Sequence, residues 1–491
     1  ILEHNPSAIE LVDRTILDRS KESLGFSRQA TFIEGEPEAI LLVEFFGDNM
    51  KEVEAKIDKM NYALKKRNLS YASLKALTLI EQKNAWAVRS AGLGLLMSVK
   101  GDSKPLPFVE DTAVSPEKLP EYVRRFDAIV KSYGTTAAYY GHASVGCLHI
   151  RPMINIKTEA GLQDLVAISD EISDLVLEFN GSLSGEHGDG IVRGVWTEKM
   201  LGPLLYQAFK DLKNIFDPDN ILNPGKIINT PPMTENLRIG PKYSIQEPAT
   251  ILDFSNDGGF ARAIEMCNGV GECRKDLTGT MCPSYMATKD EQHSTRGRAN
   301  ALRSVLSGKL PTESFGSKGL YDIMDLCLEC KACKAECPSN VDMAKLKYEF
   351  LNTYHNKNGY PIRAKLFANI GFFSSVGSKL APISNWLASF VVTRWILDAF
   401  FNIDSRRPLP KFVRKTFPQD FRSHSLEYNK ELLGKVILFN DTFMNYNYPG
   451  IGNAATKILE QAGFQVEIVE RKCCGRPMIS KGMLEAAREN A

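Results

Sequence analysis

The run CLECKACKAECP, residues 327 to 338, constrains this chain more than any other stretch. Its thiols stand at Cys327, Cys330, Cys333 and Cys337, with Pro338 next, in the spacing C-x2-C-x2-C-x3-C-P. Three thiolates on a tight turn hold three corners of one iron–sulfur cubane, and the fourth, ahead of a proline, is directed at a second cluster. A structural zinc usually takes two separated cysteine pairs, which this spacing does not offer. The surrounding residues, 249 to about 355, are expected to be short helices between cysteine clusters.

The companion stretch is CNGVGECRKDLTGTMCP, with thiols at Cys267, Cys273 and Cys282. Cys282, followed by Pro283, reads as the remote ligand that completes the Cys327/Cys330/Cys333 cluster. The other cluster then holds Cys267, Cys273 and Cys337, and Val270 stands where a middle cysteine would fall. A three-iron cluster, a substitute ligand such as His293, or a degraded or absent cluster each satisfies that count. Such clusters move one electron at a time, so a two-electron donor that can split its pair is expected upstream, usually a flavin.

Seven of the ten cysteines lie between Cys267 and Cys337, and Cys473 and Cys474 are adjacent. This clustering suits metal ligation in a reducing compartment better than a disulfide framework, so a cytoplasmic location is expected. A net charge of +1 over 491 residues gives no reason to expect nucleic acid. No stretch reaches the ~18 uncharged apolar residues of a membrane span. The nearest, ISNWLASFVVTRWILDAFF, is interrupted by Arg394 and Asp398.

Residues 1–238 alternate strand-like and helical patterns. Strands are expected at 39–47, 135–143 and 147–156, and helices at 48–68 from an Asp start, at 119–134 and at 162–181 with Gly181 beyond the end. That order implies an α+β sheet layer. A Pro-rich stretch, 229–248, reads as a linker. The domains are then 1–238, an α-helical two-cluster ferredoxin domain at 239–355, a helical region at 356–430, and the start of an α/β domain at 431–491. The last begins with a strand at 435, a helix over 452–463 and a second strand at 464–470.

Within YYGHASVGCLHIRP, residues 139 to 152, two histidines flank a glycine turn. If Val145-Gly146 caps a two-residue hairpin, paired numbers sum to 291 and His142 faces His149 on one side of the sheet, Cβ atoms ~5 Å apart. The segment GSLSGEHGDG, 181 to 190, adds Glu186 and His187 among glycines that permit close approach. On extended chain these neighbours point to opposite sides. His142, His149 and Glu186 make a ligand set for a catalytic divalent cation, zinc first, with manganese or iron as alternatives. His187 is then placed to act as general base on a substrate hydroxyl.

GHASVGCLHIRP, SGEHGDG and DPDNILNPGKI together resemble the C-terminal domain of FAD-linked 2-hydroxy-acid oxidases, a group that includes D-lactate dehydrogenases, glycolate oxidase and D-2-hydroxyglutarate dehydrogenase. The cysteine stretches and the sequence from DTFMNYNYPGIGNAATKILEQAG to CCGRPMISKG look like the long bacterial form, with ferredoxin and CCG domains on one polypeptide. The resemblance implies FAD, held mostly by a domain ahead of Ile1, 4Fe-4S clusters, and a CCG domain beginning at 431–491.

It implies metal ligands at His142, His149 and Glu186 and a base at His187. It further places a substrate-carboxylate arginine at Arg89, in AWAVRSAG, and Asn223, in LNPGK, near the flavin. The implied reaction oxidises a D-2-hydroxy acid, D-2-hydroxyglutarate first and D-lactate or glycolate next, and passes electrons to a quinone-like acceptor. A non-catalytic electron-transfer subunit is the competing class. The apolar segment 361–401 reads first as a packed helical linker, and otherwise as a quinone-facing patch or a surface for peripheral contact with the inner face of a membrane. Homo-oligomerisation is open.

Overall fold

A computed structural model describes residues 1–23, 25–424, 432–469 and 473–491. They form two compact units, one of residues 1–248, 254–310 and 331–342, the other of 249–253, 311–330 and 343–491.

The first unit is built on a sheet of six strands: β1 (Ala8–Asp13), β2 (Ala39–Glu44), β3 (Lys104–Pro105), β4 (Thr112–Ala113), β5 (Ala137–His142) and β6 (Cys147–Ile154). Its order is β2-β1-β5-β6-β3, with β4 also paired to β6. Alternation along the strands divides two cores. Leu148, Ile150 and Ile154 of β6 pack on one face with Tyr122, Phe126, Ile168 and Ile172 from the helices Leu119–Ser132 and Glu159–Glu178. Val12, Ala138 and Tyr140 face the other way, onto Ile16, Leu17, Leu95 and Leu96. Glu10, His142, His149 and Arg151 share the parity of this second face, which decides where they gather.

The expected strands and helices of this region are present with shifted ends. The helix expected from an Asp start runs Met50–Lys66, and Asn49, not Asp48, is its cap, accepting from the Glu52 amide at 3.1 Å. The helix Glu159–Glu178 is capped by Thr158, and Asn180 rather than Gly181 takes the left-handed position after it (φ 54°). Its short polar side chain tolerates that conformation better than other non-glycine residues do. The stretch read as a linker has no regular structure but is docked: Gln246 N–H donates to Leu306 O (2.9 Å), and the Glu247 carboxylate caps the helix Phe260–Glu265 through the Ala261 amide (3.0 Å).

The cysteine-rich part of this unit is made of short helices, as its spacing demands. Cys267 follows the helix Phe260–Glu265, Cys282 precedes Pro283–Thr288, and Cys337 follows Ala332–Glu336.

The second unit is largely helical. Its helices Met343–Asn358, Ile362–Ala368, Ile370–Lys379, Ile383–Ser389 and Val391–Phe401 follow one another closely. Toward the C-terminus β7 (Gly434–Ile437) and β8 (Phe464–Glu467) pair in parallel, with the helix Pro449–Gln461 between them in sequence. That is the β-α-β start expected from the sequence. The expected boundary at 430/431 and Glu470, the end of the second expected strand, lie outside the described residues.

Candidate active site

The turn after β5 is longer than a two-residue hairpin. Ala143–Val145 form a 3-10 turn and Gly146 closes it at φ 73°. A Cβ on Gly146 would stand 1.8 Å from Val114 O, so only glycine fits there. The register consequently pairs His142 with Cys147 and Tyr140 with His149, and paired numbers sum to 289 rather than 291. His142 does not lie directly opposite His149 but diagonally from it. A shift of two preserves the side of the sheet, so the two imidazoles still share a face, ring centroids 5.4 Å apart.

Glu186 and His187 reach this face from the glycine-rich segment. They do not point to opposite sides, because the chain there is bent and not extended. The Asp111 carboxylate, fully buried, accepts from the amides of both Glu186 (3.0 Å) and His187 (2.8 Å) and from Ser184 Oγ (2.7 Å). Burial alone would raise the Asp111 carboxyl, but these donors and the nearby His187 hold it below its ordinary value. Gly185 lets the segment close on the sheet, since a Cβ there would be 2.8 Å from Cys147 Sγ.

The outcome is a convergence on one atom. Glu186 Oε1 lies 3.1 Å from His149 Nε2, 3.3 Å from His142 Nε2 and 3.5 Å from His187 Nε2. The His149 and His187 rings stack at 4.9 Å with an interplanar angle of 1°. His149 is buried, and desolvation, reinforced by His187 and His142, pushes its imidazole down to about 3, so it is neutral. His149 Nδ1 has no hydrogen-bond partner among the described residues. Ligand atoms of Asp111, His149, Glu186 and His187 also fall within 4.8 Å of one another. Asp111 is already committed to the loop amides, so His142, His149 and Glu186 are the more available donors, and two neutral-capable imidazoles plus a carboxylate suit a divalent cation.

Behind them stands a layer of charged residues of which only Arg89 was expected from the sequence. His142 Nδ1–H donates to Glu10 Oε1 at 2.7 Å, and Arg89 Nε and Nη2 bond Glu10 Oε2, each at 2.7 Å. Arg89, expected to meet a substrate carboxylate, thus lies beside the site on the helix Leu79–Ser90 but commits two nitrogens to Glu10. His187 Nδ1 lies 3.3 Å from Glu110 Oε1, and the other Glu110 oxygen pairs with Arg151. Arg151 also bonds Tyr140 Oη at 3.2 Å. Period-two spacing from His149 pointed to Arg151, and the acid pair in the apolar run FVEDTAV pointed to Glu110 and Asp111. Asn223 sits apart on the exposed loop after the helix Thr197–Phe216, accepting from Lys226 Nζ at 2.9 Å. That loop is tied to the glycine segment by Ile227 N–H on Gly190 O (2.8 Å).

The cysteines of the first unit are held as sulfur ligands commonly are, by N–H donors. The Arg296 amide donates to Cys273 Sγ (3.3 Å), and the fully buried Arg298 guanidinium donates to Cys282 Sγ (3.6 Å). Cys337 lies close enough to Cys267 and Cys273 to interact electrostatically, and burial pushes its thiol up to about 11. Cys333 is also in this unit, whereas Cys327 and Cys330 are in the second, where the buried Lys347 Nζ donates to Cys327 O (2.7 Å) and pairs with Glu329 (3.0 Å). Val270 is exposed, and the His293 ring Nδ1 lies 2.9 Å from Thr288 Oγ1.

Fold and site together define the class. Residues 1–227 match the family model "FAD linked oxidases, C-terminal domain", and residues 263–341, which contain all seven clustered cysteines, match "4Fe-4S dicluster domain". The chain carries the C-terminal domain of the FAD-linked oxidases joined to an iron–sulfur dicluster domain.

Its likeness to particular proteins is narrower. It is 30% identical over 540 aligned positions to D-2-hydroxyglutarate dehydrogenase of Pseudomonas putida, an alignment covering 99% of this chain and 53% of that protein. It is 28% identical over 548 positions to D-2-hydroxyglutarate dehydrogenase of Haemophilus influenzae, covering 100% of this chain and 52% of that one. It is 30% identical over 224 positions to D-lactate dehydrogenase of Anaerostipes hadrus, covering 45% of this chain and 46% of that one. The chain spans about half the length of the D-2-hydroxyglutarate dehydrogenases it matches, and it is related along its whole length to these FAD-linked 2-hydroxy-acid dehydrogenases.

Proposed function

We propose that the chain is the substrate- and electron-handling part of an FAD-linked D-2-hydroxy-acid dehydrogenase. D-2-hydroxyglutarate, giving 2-oxoglutarate, is the preferred substrate, and D-lactate the second. The observation that carries this reading is the convergence of His142, His149 and His187 on Glu186 Oε1. His142, His149 and Glu186 would hold a divalent cation, zinc first, which when bound lowers the pKa of a substrate hydroxyl and orients it. The flavin, when bound, supplies the acceptor for the substrate's hydride.

The chain's own residues do the rest. His187 takes the hydroxyl proton at Nε2, the nitrogen that faces Glu186. Glu110 on Nδ1 keeps the proton on that nitrogen, so that Nε2 is the acceptor, and stabilises the imidazolium that results. Arg151 pairs with the other Glu110 oxygen and so holds the carboxylate in place against the ring. The Nη1 side of Arg89 is left for the substrate carboxylate, with Glu10 steadying the guanidinium. Asn223 would be a contact of the flavin when that group is bound. The seven cysteines would hold the clusters, which when bound supply one-electron transfer toward a quinone-like acceptor.

Steady-state rates of full-length enzyme on D-2-hydroxyglutarate and D-lactate, with a dye acceptor, test the substrate: a higher kcat/KM on lactate overturns the preference. His187→Ala should lower kcat by about 10²–10⁴. Unchanged turnover would remove the base assignment and leave electron transfer as the function.

A further inference from the structure

Three consecutive helices of the second unit are built inside out. In Val391–Phe401 the buried residue is Arg394, 8% exposed, whose Nη2 donates to the backbone carbonyls of Asp404 (2.7 Å) and Arg407. The same helix turns Val391 (78%), Trp395 (61%) and Phe400 (70%) to solvent. In Ile383–Ser389 and the residue after it, Ile383, Trp386, Leu387 and Phe390 are all exposed at i, i+3, i+4 and i+7, and the Trp386 and Phe390 rings stack at 5.3 Å. In Ile370–Lys379, Phe372 and Val376 on successive turns are exposed, and Leu380 continues their row. Ser384 Oγ–H on Gly377 O (2.6 Å) ties Ile383–Ser389 to Ile370–Lys379.

A helix at a protein surface ordinarily turns such a stripe inward. Contiguous exposed apolar area of this kind marks a contact surface. Its composition says what the surface meets. Residues 361–415 contain nine Lys and Arg against two Asp and no Glu, an excess of seven positive charges in a chain whose net charge is +1. Lys365, Lys379, Lys411 and Arg414 of this set are exposed. A second copy of the chain would set this excess against its own like charge. Tryptophan and phenylalanine beside lysine and arginine is instead the makeup of helices that lie in a membrane interface and attract anionic headgroups. No helix among the described residues is long and apolar enough to cross a membrane, which leaves lying on one.

We propose that this helical surface docks on an anionic lipid bilayer, with Trp386, Phe390 and Trp395 at the boundary of headgroups and acyl chains and the basic residues against lipid phosphates. It stands independently of the substrate and of the metal.

The test is flotation of full-length, cluster-loaded protein with vesicles rich in phosphatidylglycerol or made of phosphatidylcholine alone, at low and high salt. The protein should float with the anionic vesicles, and tryptophan fluorescence should be quenched by lipids brominated in their acyl chains. Trp386→Ser with Trp395→Ser should lower partitioning by about tenfold and abolish the quenching. Lys379→Glu with Lys411→Glu should lower partitioning by a similar factor while leaving the absorbance of the clusters unchanged. Three results overturn the proposal: no binding to anionic vesicles at low salt, binding that the tryptophan pair does not alter, or a lipid-independent dimer that the tryptophan pair abolishes, which would make a second copy the occupant.

Discussion

Glu10 and His142 face each other in register across the β1–β5 ladder, and the Glu10 carboxylate is divided between His142 and Arg89. Glu10 is only 5% exposed, so these two partners replace the water its oxygens have lost. In a metal site this is the outer carboxylate that orients a ligating ring and raises its basicity.

Replacing Glu10 with Gln should therefore weaken divalent-metal affinity by about 10–100-fold. Metal titration of chelator-treated full-length protein measures this, with cysteine-bound iron as an internal reference that should not change. Equal affinity in the variant would show that His142 is not a ligand oriented from Glu10.

Glu110→Gln separates positioning from binding at His187. The amide can still meet Nδ1 but cannot stabilise an imidazolium, so kcat should fall by about 10²–10⁴ with KM little altered. The limb of the pH–rate profile assigned to the base should move to lower pH. A change in KM alone would place Glu110 in substrate binding instead.

Lys347 in the second unit is nearly fully buried and is neutralised by Glu329 while it ties down the carbonyls of Cys327 and Asp325. Lys347→Met leaves the largely enclosed Glu329 without this partner, which should cost about 3 kcal/mol. Chemical denaturation of that unit reads the loss. Iron content should fall as well, because the Cys327 turn loses its anchor.

Asp13 supplies a pH test of the fold. It caps the helix Arg14–Glu22 by accepting from Ile16 N–H (3.2 Å) and reaches across to Tyr139 N–H (2.8 Å). Burial nevertheless raises its carboxyl to about 6 from an ordinary 3.8. Below the ordinary value both folded and unfolded chains hold the proton, and the contribution to stability is full. As pH rises toward about 6 the unfolded chain has released the proton and the folded one has not, so stability falls, by up to about 1.4 kcal/mol per pH unit. Asp13→Asn should flatten this slope in thermal scans across the same window. A slope that persists assigns it to another group.

The cysteine spacing was legible because cluster ligation is local: turns of two and three residues set the sulfur positions before any long-range packing occurs. The His142–His149 pairing was legible for a different reason. Strand parity survives the two-residue error in register caused by the longer turn at Ala143–Val145. Parity could equally have shown Arg151 on the same face. What sequence could not show was which distant charges support the site, since Glu10, Glu110 and Asp111 meet partners far along the chain, such as Ser184 for Asp111, 73 residues away, and His142 for Glu10, 132 residues away.

The sequence by itself thus determined the cysteine spacing and the side of the sheet that bears the histidines, properties of neighbours along one chain. The tertiary structure alone decided that Glu186 and His187 point the same way, that Arg89 is shared with Glu10, and that the helices after residue 370 turn their aromatic stripes outward. Each of these depends on a partner brought close by folding: the buried Asp111 carboxylate gripping two successive amides, the register of β1 against β5, and backbone carbonyls that draw Arg394 inward.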